Sequence, residues 1–268
     1  MLARMSSHAV DRRLARRAAR QHGLITRAQA LEAGCTQTMI SDRVTAGRWV
    51  AVASGVFRVN GAPVTFQQSA HAACLDAGRP AGVSHRSAAV LLGASGLRPG
   101  RVEILVPVGF DSRCTIATVH RTRVLDRADL TAIDRIPVTT PARTLVDLAG
   151  VVPSVVLEEV VDDFLCRKLV SLSRVRRRAR ELGGRGRVGM ASLRTILDAW
   201  VDGPVPGSTA EMRVVRCLLR HGLPQPRRQF AISHNGTFVA RVDLAYPEAK
   251  IVIELDSFRW HGPPSVRQ

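Results

Sequence analysis

Leu24 to Val59 read LITRAQALEAGCTQTMISDRVTAGRWVAVASGVFRV, and this stretch sets the organisation of the first half of the chain. Thr26-Arg27-Ala28-Gln29 is a capping-box pattern, in which a Thr oxygen and a Gln side chain satisfy the free amides of a helix start. That helix stops at Gly34. After the short turn Gly34-Cys35-Thr36, a second helix runs from Gln37 to about Ala46. Two short helices joined by a tight Gly-containing turn describe a helix-turn-helix. After Gly47, RWVAVASGVFRV gives two β-rich runs around Ser54-Gly55, the pattern of a wing hairpin. The stretch predicts a winged helix. Just upstream, DRRLARRAARQ from Asp11 to Gln21 predicts a basic helix with Leu14 and Ala18 on its apolar side.

The wording GLITRAQALEAG, a polar helix, then GRWVAVASGVFRV resembles the N-terminal domain of AbiEi-type antitoxins of type IV toxin–antitoxin systems, over about forty residues. That resemblance implies duplex DNA and a cognate toxin as partners. It implies that Gln37, Thr38, Ser41 and Arg43 face the major groove, with Arg48 and Arg58 near phosphates. Winged helices also serve as protein-docking modules.

Working outward, residues 61–202 predict a mixed middle domain. Helices are expected over Phe66–Gly78, Ala88–Leu92 and from Thr140-Pro141 to Gly150, and strands in VEILVPV and TIATVHR. The SHRSAA, VHR and TTPARTLVDLA segments extend the resemblance to AbiEi-like proteins. His85 and His120 have no carboxylate at helical or strand spacing, so they read as structural histidines. Val155 to Lys168 carries a helical apolar stripe, with Glu158, Glu159, Asp162 and Asp163 expected on its solvated side. SLSRVRRRAREL is a densely basic helix suited to a phosphate backbone, and Gly183–Gly189 reads as a linker.

Residues 203–268 carry a different pattern, RVDLAYPEAKIVIELDSFRWHG from Arg241 to Gly262. Pro247-Glu248 between two apolar runs predicts a hairpin. Pairing Tyr246 with Ala249 puts Asp243 opposite Val252, on the same face as Glu254 and Asp256 because strand side chains alternate. Three gathered carboxylates repel, and a hard divalent cation relieves that repulsion. The Asp-(x10)-Glu-x-Asp spacing with His261 behind it resembles the PD-(D/E)xK nucleases, and more closely their very-short-patch-repair (Vsr)-like branch. That resemblance implies Mg2+ on Asp243 and Glu254, proton transfer by His261, support from Asp256, and Glu211 as an accessory acid on the preceding helix. It also implies a further helix and strand, for which the seven residues after His261 leave no room, so the module is expected to be incomplete.

The chain has 39 Lys+Arg against 22 Asp+Glu, a net charge of +17, and only Lys168 and Lys250 are lysines. Arginine makes bidentate contacts to phosphate and to guanine edges, which favours nucleic acid as partner. Five scattered cysteines, with no C-x-x-C pair, argue against a zinc site and a disulfide framework. No stretch has the length and apolarity of a membrane span, and no N-terminal apolar segment reads as a signal, so a cytoplasmic protein is expected. The fold expected is α/β of the α+β kind: a winged helix over 1–60, the middle domain over 61–202, and over 203–268 a partial nuclease core, a helix then a three-stranded antiparallel sheet. Two functions are open, a DNA-binding protein with a metal-dependent endonuclease module and a non-enzymatic winged-helix regulator or antitoxin.

Overall fold

The structure, a computed structural model, describes residues 7–112, 114–184, 186–200, 209–234 and 236–255. It is an α+β protein, and the chain divides into two compact units, residues 1–160 with 172–199, and 161–171 with 200–268.

The first unit opens on helix α1 (Ser7–Ala19), strand β1 (Leu24–Thr26), helices α2 (Arg27–Glu32) and α3 (Gln37–Thr45), and strands β2 (Trp49–Ala53) and β3 (Val56–Val59). Thr26 accepts from the Gln29 amide while the Gln29 side chain accepts from the Thr26 amide, so the capping box forms as the sequence pattern requires. Thr36 caps α3 by accepting from Met39 N. Gly34, at φ +104, makes the turn between the two helices. The strands form an antiparallel sheet in the order β1-β3-β2, and a bulge between Ala51 and Ala53 twists the wing. Val10, Leu14, Ile25, Ala30, Ile40, Trp49 and Phe57 make the core of this part.

The middle of the chain adds helix α4 (Phe66–Ala77), strand β4 (Gly82–Val83), helix α5 (His85–Leu91), strands β5 (Glu103–Pro107), β6 (Thr118–Thr122), β7 (Leu130–Ile133) and β8 (Ile136–Thr139), and helices α6 (Pro141–Leu148), α7 (Ser154–Cys166), α8 (Leu172–Leu182) and α9 (Met190–Asp198). Its five strands run in the order β6-β5-β4-β8-β7, with β5–β6 and β4–β8 parallel and the other pairs antiparallel. Val83, Ile104, Val106, Ile136 and Val138 pack with the alanines of α4 and α5. Small residues there let the helices approach the sheet closely. Arg143 on α6 is fully buried, with Nε 2.9 Å from Asp147, Nη1 3.0 Å from Asp129, and Nη1 donating to Val124 O at 2.7 Å.

Three sequence expectations fail here. The Gly183–Gly189 tract is not a free linker: Gly189 lies so close to the Ala149 carbonyl that a Cβ would strike it, and Met190 and Leu193 just beyond are buried. The acids of α7 are not all solvated. Asp162 is buried and accepts from Trp200 Nε1 at 3.0 Å, and buried Asp163 pairs with Arg167 at 3.0 Å. The basic face of α8 is partly spent inside the protein, because Arg178 binds Asp126, Asp129 and Glu181.

The second unit carries helix α10 (Thr209–Arg220) and strands β9 (Arg227–His234), β10 (Thr237–Tyr246) and β11 (Ile251–Ile253) in an antiparallel sheet of order β11-β10-β9. Met212, Val215, Val242, Leu244 and Ala245 are buried in it. The β10–β11 register differs by two residues from the expected one. Tyr246 pairs with Ile251, because the chain reverses through Pro247–Lys250 with Lys250 at φ +55. A shift of two leaves the facing parity unchanged, so Asp243 and position 254 still share a face. Among the described residues no helix is long and apolar enough to cross a membrane.

Candidate nucleic-acid interface

In α3 the apolar positions turn inward, Ile40 into the core and Met39 and Val44 against it. That leaves Gln37, Thr38 and Ser41 exposed, one turn apart at the helix N-terminal end. These are short hydrogen-bonding side chains on the second helix of a helix-turn-helix, the position that reads base edges in this architecture. Arg48, at the start of the wing, is also exposed.

Arg43 and Arg58 do not stand where the family pattern would put them. Arg43 is buried: its guanidinium donates to Asp11 at 2.6 Å and to Met39 O at 3.0 Å, and lies over the Trp49 ring at 5.5 Å. At that point of the helix an arginine facing the core finds an acid on α1, so it locks α1 to α3 instead of reaching outward. Arg58 shares the β3 face of Val56, which packs on Ala72 of α4. It stands beside Gln68 and Ile116 with its Nε buried and without a hydrogen-bond partner, on the seam with the middle of the chain.

Arg27 was not singled out by the sequence and belongs with the exposed set. Its amide donates to Gly55 O at the wing turn, and its guanidinium donates to Gln37 Oε1 at 2.8 Å and lies 5.4 Å from the Phe57 ring. It joins the start of α2, the start of α3 and the tip of the wing. The signal available was its place directly after the Thr26 cap.

The histidines of the middle sheet also differ from expectation, since a carboxylate does face them. His85 and His120 stack with ring centroids 3.6 Å apart, and His120 Nε2 lies 3.4 Å from Glu103 Oε1, an ion-pair distance without hydrogen-bond geometry. The parallel β5–β6 register, with Leu105 beside His120, puts Glu103 on that face. His85 Nδ1 is 2.8 Å from Ser84 Oγ. Burial, then the neighbouring His120, pushes the His85 pKa down to about 3, so the ring is neutral. Burial would raise the Glu103 pKa, but contacts from His120 and the Arg86 amide hold it below the usual carboxylate value. With Ser84 and Glu103 buried, this cluster pins α5 to β5 and β6.

In the second unit Glu211 and Asp243 are brought together by Gln229. Its Nε2 donates to Glu211 Oε1 at 2.9 Å and to Asp243 Oδ1 at 3.0 Å, while Asp243 Oδ2 accepts from Leu255 N at 3.0 Å. Glu211 is buried, and Glu254 is exposed just past the end of β11. Asp256 and His261 lie outside the described residues. Hard carboxylate oxygens suit Mg2+. Among the described residues no group of three His, Cys, Asp or Glu is placed to hold a metal ion.

A helix-turn-helix whose second helix is polar and exposed, with a β-hairpin wing and an α/β region after it, is a winged-helix architecture. Two family models match the chain in succession: the family described as "Transcriptional regulator, AbiEi antitoxin" matches residues 12–60, and "AbiEi antitoxin C-terminal domain" matches 72–199. Two uncharacterized proteins of Mycobacterium tuberculosis, MT2308 of strain CDC 1551 and Rv2248 of strain H37Rv, are each 35% identical over 82 residues. That match covers 30% of this chain and 29% of each relative, so the chain spans less than a third of the length of the curated relatives it matches. The crystal structure of the RV2827C protein from M. tuberculosis aligns with TM-score 0.44 at 19% identity, over 75% of this chain and 86% of that one.

Proposed function

We propose that this chain is a DNA-binding regulator of the antitoxin class whose winged helix reads a specific duplex, with a cognate toxin as second partner. The observation that carries this reading is the exposed Gln37, Thr38 and Ser41 face of α3, flanked by Arg27 and Arg48, within a region matching an antitoxin regulator family. Glutamine can make a bidentate contact to adenine, and Thr and Ser hydroxyls serve either donor or acceptor edges. The arginines would take phosphates and fix the register, without reading sequence themselves. The test is binding of the purified chain to the DNA upstream of its own coding sequence, measured against salt. About six phosphate contacts give a log–log slope of about −5. Gln37→Ala with Ser41→Ala is expected to erase the preference for that sequence while leaving the slope within about one unit. Salt-insensitive binding, or an intact preference in the double variant, would sink the reading.

A second reading has one specific observation in its favour, the joining of Glu211 and Asp243 through Gln229 on a helix and two strands. It makes the second unit a Vsr-like endonuclease module, with Mg2+ on Asp243 and Glu254, and with Asp256 and His261 assisting. Asp243→Asn is the discriminating change: cleavage of duplex DNA with Mg2+ by the parent chain and none by the variant supports the module. Equal cleavage by both rejects it.

A further inference from the structure

Helix α1 places Arg13, Arg16 and Arg17 at i, i+3 and i+4, which is a single helix face, with Arg20 in the turn directly after it, while Val10, Leu14 and Ala18 take the face toward the core. That arginine stripe forms one wall of a cleft of about 780 Å3. Arg79, after α4, and Arg135, in the β7–β8 turn, line the same cleft. The one acid lining the cleft among the described residues, Glu32, is already taken by Arg17 at 2.7 Å. Among the described residues Arg16, Arg20, Arg79 and Arg135 have no acid within ion-pair distance. Those four like charges line one cleft, and no acid among the described residues pairs with them.

Two independent features mark the cleft as more than a basic surface. The first is His71 on its floor, 96% buried (relative exposure 4%), with Nδ1 bonded to nothing. A buried polar atom without a partner is destabilising, and proteins rarely keep one without cause. The second is the backbone at Arg135, which with Asp134 makes a two-residue hairpin turn at φ +67 and +47. Left-handed positions in such turns favour Gly or Asn, so an arginine there is held against local steric preference and points to function. Leu14, Leu75, Ala33 and Pro137 supply apolar lining between the charges. A mixed lining and a volume inside the ~300–1,000 Å3 range of small-molecule sites fit a ligand with both a charged and a flat apolar part.

We propose that this cleft binds an oligophosphate anion of nucleotide size. The α1 stripe, with Arg79 and Arg135, would hold its phosphates through planar guanidinium forks. The recognition residues Gln37, Thr38 and Ser41 are not part of the cleft, so the site is separate from the surface that reads DNA. A ligand there would touch α1 and α2 on one side and α4 and the β7–β8 turn on the other, tying the winged helix to the middle sheet. The inference goes beyond the DNA-binding reading and does not depend on it, because binding can be measured without DNA.

Isothermal titration of the full chain at physiological ionic strength, with ATP, GTP and inorganic tripolyphosphate as separate probes, tests it. Saturable one-site binding is expected. Tighter binding of a nucleotide than of tripolyphosphate would place a base on the apolar lining, and equal binding would identify the phosphate chain itself as ligand. Arg79→Ala with Arg135→Ala should raise Kd roughly ten- to a hundredfold. Arg16→Ala with Arg20→Ala, from the N-terminal arginines, should do the same. All four side chains are exposed and unpaired among the described residues, so the fold is expected to survive, which circular dichroism checks. No saturable binding of any probe, or a Kd unmoved in both double variants, overturns the proposal. It is also overturned if Arg79→Ala with Arg135→Ala weakens nucleotide-free duplex binding as much as nucleotide binding, because the cleft would then be part of a DNA path.

Discussion

Replacing Arg43 by Ala separates a DNA-reading role from a structural one. The substitution removes the 2.6 Å bond to Asp11, the 3.0 Å bond to Met39 O and the contact with the Trp49 ring. Asp11 is 52% exposed, so solvent screens that pair and holds it to about 1 kcal/mol. The bond from the guanidinium to the Met39 carbonyl is worth about 1.5 kcal/mol and the ring contact about 0.5–1 kcal/mol. The total is about 3 kcal/mol, a large part of the ~5–15 kcal/mol of a typical domain. For a unit of this size each kcal/mol lowers Tm by about 2–4 °C, so a fall of about 6–12 °C is expected. Thermal melts followed by circular dichroism give the shift, and DNA affinity measured well below the melting range should change by less than about threefold. Gln37→Ala should do the reverse, weakening sequence preference with Tm unmoved. A Tm within about 1 °C of the parent, together with lost DNA affinity in Arg43→Ala, would refute the inward assignment.

Other expectations follow from buried groups. Arg143→Met removes a guanidinium from between Asp129 and Asp147, but Arg178 and Arg187 still hold those acids, so the loss should be near the lower end of ~3–5 kcal/mol; urea denaturation showing under 1 kcal/mol, read as ~0, would contradict the network. His71 and His85 are held neutral, with pKa values pushed down to about 4, by burial and then His22, and to about 3. The unfolded chain therefore takes up protons that the folded one refuses as pH falls from about 6.5 toward 4. Stability should be complete above that window and decline within it by up to ~1.4 kcal/mol per pH unit per histidine. Urea midpoints that stay level between pH 7 and 5 would be incompatible with buried neutral imidazoles.

What was legible in the sequence was local. The Thr26 capping box, the Gly34 turn, the Ser54-Gly55 wing and the Pro247 reversal each depend on a few adjacent residues, and each forms where the pattern lies. What was not legible depended on partners distant in sequence. Arg43 reads as a surface residue until Asp11, thirty-two positions earlier, is seen beside it. Glu103 meets His120 only through the β5–β6 register, and no spacing rule announces a parallel pairing. Asp162 belongs to a helix face that looks solvated until Trp200 covers it. The register of the last hairpin slipped by two because Lys250 accepts a left-handed conformation, lengthening the turn beyond the tight one its proline suggested.

Trp49 stacks on Phe57 in the first compact unit, and Trp200 donates to Asp162 in the second. The remaining tryptophan, Trp260, lies outside the described residues. A chain bearing Trp260→Phe would hold one indole in each unit, both buried and each in a distinct electrostatic setting, one under a guanidinium and one against a carboxylate. Its emission spectrum would therefore be a sum of two separable reporters. Removing either by a further Trp→Phe change would let the order in which the units lose structure be read optically, without labels.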